Sequence, residues 1–497
     1  CEYCKKGMLE KGYNPELYEE RIKYAQEMIH DFKKEMTKFI HNIKPNISVF
    51  YNGSHIGPRT MKDKEFYTHW ELESLPSGKW GYAHFGNTVR YARTRGMDYL
   101  SHTGKFHTSW GDFHSMKNKE ALEYECFRML AYNSKCLIGD QLHPDGRISP
   151  EVYDLIGDVY AQVEKKEPWC TKATEVVELG VLTSEYYKTD SDSSLKKIPD
   201  EITGICALLD ELGYQFNIID EDEDFRKYKI VILPDNILCS DFLADKIDNY
   251  IADGGRLIAS YRSGLNYSET EFAIKRLGIS LVGDAPYSPD FLVPTSEYGK
   301  RLFKTEYVMY NQGKEIKIND AKEVVKAYIP YFNRTWEHFC SHLHTPSSHK
   351  YGYPGITECK GNYYFMHPIF SIYQEKHPKW CKEFLRDVLE TLIPQPLIKH
   401  NGPSTMTVTV NEQKEKGRYI IHILHYIPNK IADEILTIED VIPLYNIKLS
   451  VCLPHAVNGV TLVPDKEQLD YEIFQNNEIS FTVPKISGHC MIELSYK

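Results

Sequence analysis

The chain has 497 residues, 42% hydrophobic and 26% charged, an ordinary composition with length for about three domains. A net charge of −11 without any block of Lys and Arg argues against a nucleic-acid partner, which needs a concentrated basic face. No apolar run reaches the roughly 18 residues that a membrane helix requires.

The 12 cysteines are scattered singly and read as free thiols of a reducing, cytoplasmic compartment. Cys1-Glu-Tyr-Cys4 is the exception, a CxxC without two further ligands nearby. The chain opens on Cys, so it reads as a piece of a longer protein. Aromatic residues make up 13%, with 36 Tyr, and exposed rings suit stacking on neutral sugars.

In chain order, apolar residues at three- and four-residue spacing from Tyr18 to Ile43 predict a long helix ending at Lys44-Pro45. Strands are predicted over 47–53, 65–73, 98–105 and 135–140, with helices over 82–95, 119–132 and 150–164. Strictly alternating strand and helix requires a parallel sheet whose crossovers cover its faces. Glu164-Lys-Lys-Glu-Pro-Trp169 marks a boundary. A second alternating stretch follows, with strands over 176–183, 214–219, 229–234 and 256–260 and helices around 202–212, 241–252 and 380–392. Short parallel strands and glycine-ended helices predict a flavodoxin-like layer, with Gly254-Gly255 closing a helix and not cradling a nucleotide. From residue 405 the period changes to two, predicting a small antiparallel β-domain.

The stretch Tyr67-Thr-His-Trp-Glu-Leu-Glu73 concentrates the chemistry. As a strand it sets Tyr67, His69, Glu71 and Glu73 on one face and Thr68, Trp70 and Leu72 on the other. An unpartnered carboxylate is costly to bury, so this polar row predicts the wall of a wet cleft, unless it is the solvated face of an edge strand. Asn52 follows the first predicted strand, Lys105, His107 and Trp110 follow the third, and Asp140 and His143 follow the fourth. Polar residues at the C-terminal ends of successive parallel strands are the arrangement of the active face of a (β/α)8 barrel. Four strands make half a barrel, so residues 1–168 are expected to be its C-terminal half, strands five to eight.

Two carboxyls in a pocket with His, Trp and Asn suit glycosidic hydrolysis, in which one group protonates the leaving oxygen and the other attacks or activates water. Glu73, nearer the rim, is the expected reacting carboxyl, and Glu71 the second catalytic carboxyl or a hydroxyl acceptor. His69, Asn52, Lys105, His107, Trp110, Asp140 and His143 are the expected substrate contacts. A metal hydrolase on His69, His107, His143 and Asp140 would lack any local HxH or HExxH spacing. A sugar-binding protein without turnover would keep the same aromatics and amides.

Three motifs carry a family resemblance: His69-Trp-Glu-Leu-Glu-Ser-Leu-Pro-Ser-Gly-Lys-Trp-Gly-Tyr82, Thr103-Gly-Lys-Phe-His-Thr-Ser-Trp-Gly-Asp112 and Gly139-Asp-Gln-Leu-His-Pro-Asp-Gly146. They resemble the barrel proteins classed as hypothetical glycosyl hydrolase 6, overlapping the α-L-fucosidases of glycoside hydrolase family 151. The middle of the chain is similar to the β-galactosidase trimerisation domain found behind family 42 barrels. The resemblance implies an α/β architecture of half-barrel (1–168), flavodoxin-like trimerisation domain (169–395) and β-sandwich (396–497). It also implies retaining hydrolysis of terminal α-L-fucosides in oligosaccharides, no cofactor or metal, and a homotrimer. β-Galactosidase activity is the alternative. In related fucosidases the nucleophile is an Asp at the end of strand four, expected to lie before Cys1, so little turnover is expected of these 497 residues alone.

Overall fold

In the computed structural model, which describes residues 1–187 and 198–496, two helices come first, α1 (Glu2–Glu10) and α2 (Tyr18–Ile43). The stripe that predicts α2 is not covered: Ile29, Phe32, Phe39 and Ile43 are all more than half exposed.

Three parallel strands follow in the order β1-β2-β3: β1 (Trp70–Glu73), β2 (Tyr99–Gly104) and β3 (Lys135–Gly139). Their crossovers are α3 (Ala83–Ala92) and α4 (Lys119–Ala131), and α5 (Pro150–Lys166) comes after β3. Register pairs Glu73 with His102, and Gly104 with Gly139. Trp70, Leu72, Ser101 and Thr103 point to the buried side. That leaves Glu71, Glu73 and His102 on the other face.

The strand expected over 47–53 does not form, so the region has three paired strands and not four. Val49 makes its bonds with Thr68 instead: its carbonyl accepts from the Thr68 N–H at 2.9 Å, and its own N–H donates to Thr68 Oγ1 at 2.9 Å. A side-chain hydroxyl thus stands in for a ladder bond, and the segment stays extended without pairing further. The strand expected over 65–73 is also shorter, because Pro58 opens a 3-10 helix, Pro58–Phe66, that occupies its start.

Five further parallel strands form one side of a nine-stranded sheet, with Phe216–Ile219 at its edge: Leu179–Leu182, Phe216–Ile219, Ile230–Leu233, Arg256–Ser260 and Asn362–Phe365. Taken by sequence they lie in the order 2-1-3-4-5, that of doubly wound flavodoxin-like sheets. Ser347–Cys359, Lys322–Pro330, Asp290–Val293 and Tyr307–Met309 extend the same sheet antiparallel. Gly254, at φ +100°, lies just after helix Asp241–Ala252 and ahead of a strand, a position that excludes a phosphate loop.

The last residues build two antiparallel sheets of four and six strands whose inner faces meet, with Val410, Ile421 and Ile492 packed in one core with Leu449, Val451 and Phe481. The six-stranded sheet takes its edge strand, Thr174–Glu175, from just after the first region, paired with Asn411 and Glu412. Helix α3 and the turn after it join the first region to the second. Arg95 pairs with Asp220 and Glu223, each at 2.8 Å, and Arg90 pairs with Asp210.

All 12 cysteines are free thiols, with the Cys1 and Cys4 sulfurs 3.4 Å apart. No helix among the described residues is long and apolar enough to cross a membrane.

Candidate active site

The alternation of β1 decides what its site face offers. Trp70 and Leu72 are fully buried on the other side, which turns Glu71 and Glu73 away from the core. The two carboxyls then meet different environments. Glu71 is 2% exposed and its Oε1 lies 2.7 Å from His102 Nδ1. Glu73, one step nearer the strand end, is half-buried and receives a hydrogen bond from the Asn52 side chain. Burial pushes the Glu73 carboxyl above the usual range; His102 opposes the rise, Glu71 adds to it, and Asn52 opposes it. A carboxyl whose proton affinity is raised is the kind that proton donation to a leaving oxygen favours.

His102 is seated by its neighbours. The Trp110 ring meets it edge-on, centroids 5.6 Å apart at 84°. A Cβ on Gly139 would fall 2.5 Å from His102 Nε2 and 2.5 Å from the Trp110 ring, so only glycine leaves room for both. Trp110 also touches Phe106 and remains 42% exposed, an aromatic face open to a ligand.

Beyond the ends of β2 and β3, Lys105 is 4% exposed, donates from Nζ to the Ser115 carbonyl at 2.9 Å and lies 3.9 Å from Asp140 Oδ1. A cavity of about 450 Å³ opens there, lined by Lys105, His114, Met116, His143 and Arg147. His143 stacks edge-on with Phe113 and His114. His107 joins through its backbone, its N–H donating to Ser115 Oγ at 3.1 Å.

Asn52, Glu71 and Glu73 therefore form one cluster with His102 and Trp110, and Lys105, Asp140 and His143 form a second beside it. His69 belongs to neither. It precedes Trp70 at the N-terminal end of β1, its ring against Phe50 at 5.2 Å and its Nδ1 3.1 Å from Thr68 Oγ1. Alternation puts it on the right face, but four residues of rise, roughly 13 Å, separate it from Glu73.

The residue that sequence reasoning missed is His102. Its signal was there: in Tyr99-Leu-Ser-His-Thr-Gly104 it shares alternation with Gly104, which opens the next motif. A second omission is His84, whose Nδ1 is 2.6 Å from Ser74 Oγ and whose pKa burial pushes down to about 3. Among the described residues no three His, Cys, Asp or Glu side chains form a metal-ligand set.

The fold recurs in a solved structure, the α-L-fucosidase isoenzyme 2 from Paenibacillus thiaminolyticus. It is 35% identical over 99% of this chain and 75% of its own, with a TM-score of 0.94. The chain belongs to that enzyme's family. It is a glycoside hydrolase, and it spans three quarters of its relative's length. Residues 189–275 match the family model described as the β-galactosidase trimerisation domain. Two β-galactosidases share the fold at lower identity. That of Bacillus circulans sp. alkalophilus is 13% identical over 96% of this chain and 68% of its own, TM-score 0.67. That of Rahnella sp. R3 is 13% identical over 97% and 70%, TM-score 0.64. No curated protein sequence matches the chain.

Proposed function

We propose that the chain is the acid-carrying portion of a glycoside hydrolase of family 151 type that hydrolyses terminal α-L-fucosides of oligosaccharides with retention, with Glu73 as its proton-donating carboxyl. The observation that carries this reading is the contrast between the two β1 carboxyls: Glu71 is buried against His102, and Glu73 stands at the strand end with its carboxyl raised. The family's 35% identical member, an α-L-fucosidase, supplies the sugar. Trp110 gives the sugar a stacking face, and Asn52, Lys105, His107, Asp140 and His143 supply polar contacts. Residues 1–168 act as a barrel portion, 169–395 as a trimerisation-type domain and 396–497 as a sandwich. The test is turnover of aryl α-L-fucoside against aryl β-galactoside by the complete enzyme and by its Glu73→Gln and Asp140→Asn variants. Fucoside turnover lost in Glu73→Gln supports the reading, and galactoside turnover alone would replace it with the second reading, β-galactosidase, which the family-model match favours. Assembly is read by light scattering, where a trimer is expected and a monomer at micromolar concentration overturns it.

A further inference from the structure

A second and larger cavity opens close to Glu73, and none of the substrate contacts named above lines it. It measures about 710 Å³, within the range of roughly 300–1,000 Å³ usual for ligand sites. All three regions wall it: Trp80 and His84 from the first, Thr203 and Gln374 from the second, and Leu436 from the last. We propose that this cavity seats the sugar that carries the fucose, a neutral pyranose stacked on Trp80. The assignment rests on the glycosidase reading of Glu73.

Two short connections tie the cavity to that carboxyl. Ser74, the residue after Glu73, has its Oγ 2.6 Å from His84 Nδ1. Ser54, which also lines the cavity, lies two residues from Asn52, whose side chain bonds Glu73. A general acid stands within hydrogen-bond reach of the glycosidic oxygen, and that oxygen belongs to both sugars. The sugar on the leaving side therefore fills space that adjoins the acid. That leaves the cavity of Lys105 and His143, beyond β2 and β3, for the fucose.

The walls suit a neutral ring. Trp80 is half-buried, and its indole is braced by the His84 ring, centroids 5.0 Å apart at 60°. The turn that presents it, Pro76–Trp80, holds Lys79 at φ +77°, a left-handed conformation that costs a residue with a side chain. A Cβ on Gly78 would fall 2.9 Å from the Thr108 carbonyl, so this turn packs directly on the loop that carries Trp110. The two indoles thus stand on adjoining loops, one for each sugar. His84 gives Nδ1 to Ser74, and its other ring nitrogen has no hydrogen-bond partner among the described residues. Burial pushes its pKa down to about 3, and a neutral imidazole can donate to or accept from a hydroxyl without favouring an ionic ligand. Charge on the walls is offset. Lys79 pairs with Glu434, and Asp200 opens helix Asp200–Leu212, whose N-terminal dipole opposes it.

The test is a calorimetric titration of the full chain with lactose, a neutral disaccharide without fucose, and separately with L-fucose. Lactose should bind saturably. Trp80→Ala should weaken lactose by about ten-fold, and Trp110→Ala should weaken L-fucose instead. Gln374→Trp, at an exposed position on the wall from the second region, should obstruct lactose likewise, so the outcome does not hang on the folding of Trp80→Ala. In the complete enzyme Gln374→Trp should lower kcat/KM for a fucosylated lactose by about ten-fold relative to α-L-fucosyl fluoride, whose leaving group is no sugar. Lactose that fails to bind, or that binds both cavity variants as tightly as the parent chain, overturns the assignment. Absent turnover of both fucosides with the lactose differences intact would tell against the glycosidase reading and for the cavity as a sugar site.

Discussion

Two sheets in this chain hold parallel strands of similar length and opposite logic. Strand Ile230–Leu233 reads Ile-Val-Ile-Leu, all four residues essentially unexposed, because helices cover both of its faces. Strand β1 reads Trp-Glu-Leu-Glu, buried on the Trp70 and Leu72 side and chemically active on the other. A parallel strand that alternates is one whose second face has been kept from the helices. The difference teaches where to look for function: in the sheet where burial is incomplete, not in the larger and better packed one.

The sharpest way to break this contrast is to neutralise one residue on each sheet. Glu73→Gln should cost about 10²–10⁴-fold in kcat on an aryl fucoside with little change in thermal stability, read by steady-state kinetics and a melt. Ile232→Ala, fully buried in the second sheet, should do the reverse, losing about 2–5 kcal/mol in denaturant unfolding while the pH–rate profile keeps its limbs.

Two histidines held low by burial sharpen the comparison by pH. Burial holds His84, behind β1, and His422, in the last region, at about 3. The unfolded chain takes up these protons near 6.5 and the folded chain only near 3, so stability is full above 6.5 and falls as the pH drops through that window. The slope should approach about 1.4 kcal/mol per pH unit for each imidazole, and His422→Gln should flatten it in urea melts across pH 4–7 by about one proton's worth. The smallest effect is expected at the open face. Trp110→Ala should raise KM by about ten-fold or less and leave kcat nearly intact, because it removes a stacking surface and no proton.

Much of this was legible in the sequence where one local rule acts alone. Glu71 and Glu73 follow from alternation, and the first four parallel strands of the second sheet from apolar runs and glycine-ended helices, while the fifth, Asn362–Phe365, had no such signal. What was not legible needed two segments at once. The pairing of His102 with Glu71 depends on register between strands and on the empty space above Gly139, and neither is written in β1 or β2. The strand expected over 47–53 failed because Thr68 met the backbone of Val49 with a hydroxyl, a substitution that no pattern of apolar residues encodes. His69 has the right alternation and the wrong height, since period two fixes the face of a strand but not which end is open.

The short edge strand Thr174–Glu175 carries a consequence for biosynthesis. It leaves the ribosome long before its partner Met406–Gln413, and Gln215, whose side chain bridges Val408 and Val410, waits for the same late arrival. Until then the backbone N–H of Val176 lacks the Val410 carbonyl it donates to. The junction between the first two regions is thus closed by a region synthesised more than 200 residues later. A chain cut short before residue 405 would present that junction as an open edge to proteases and chaperones.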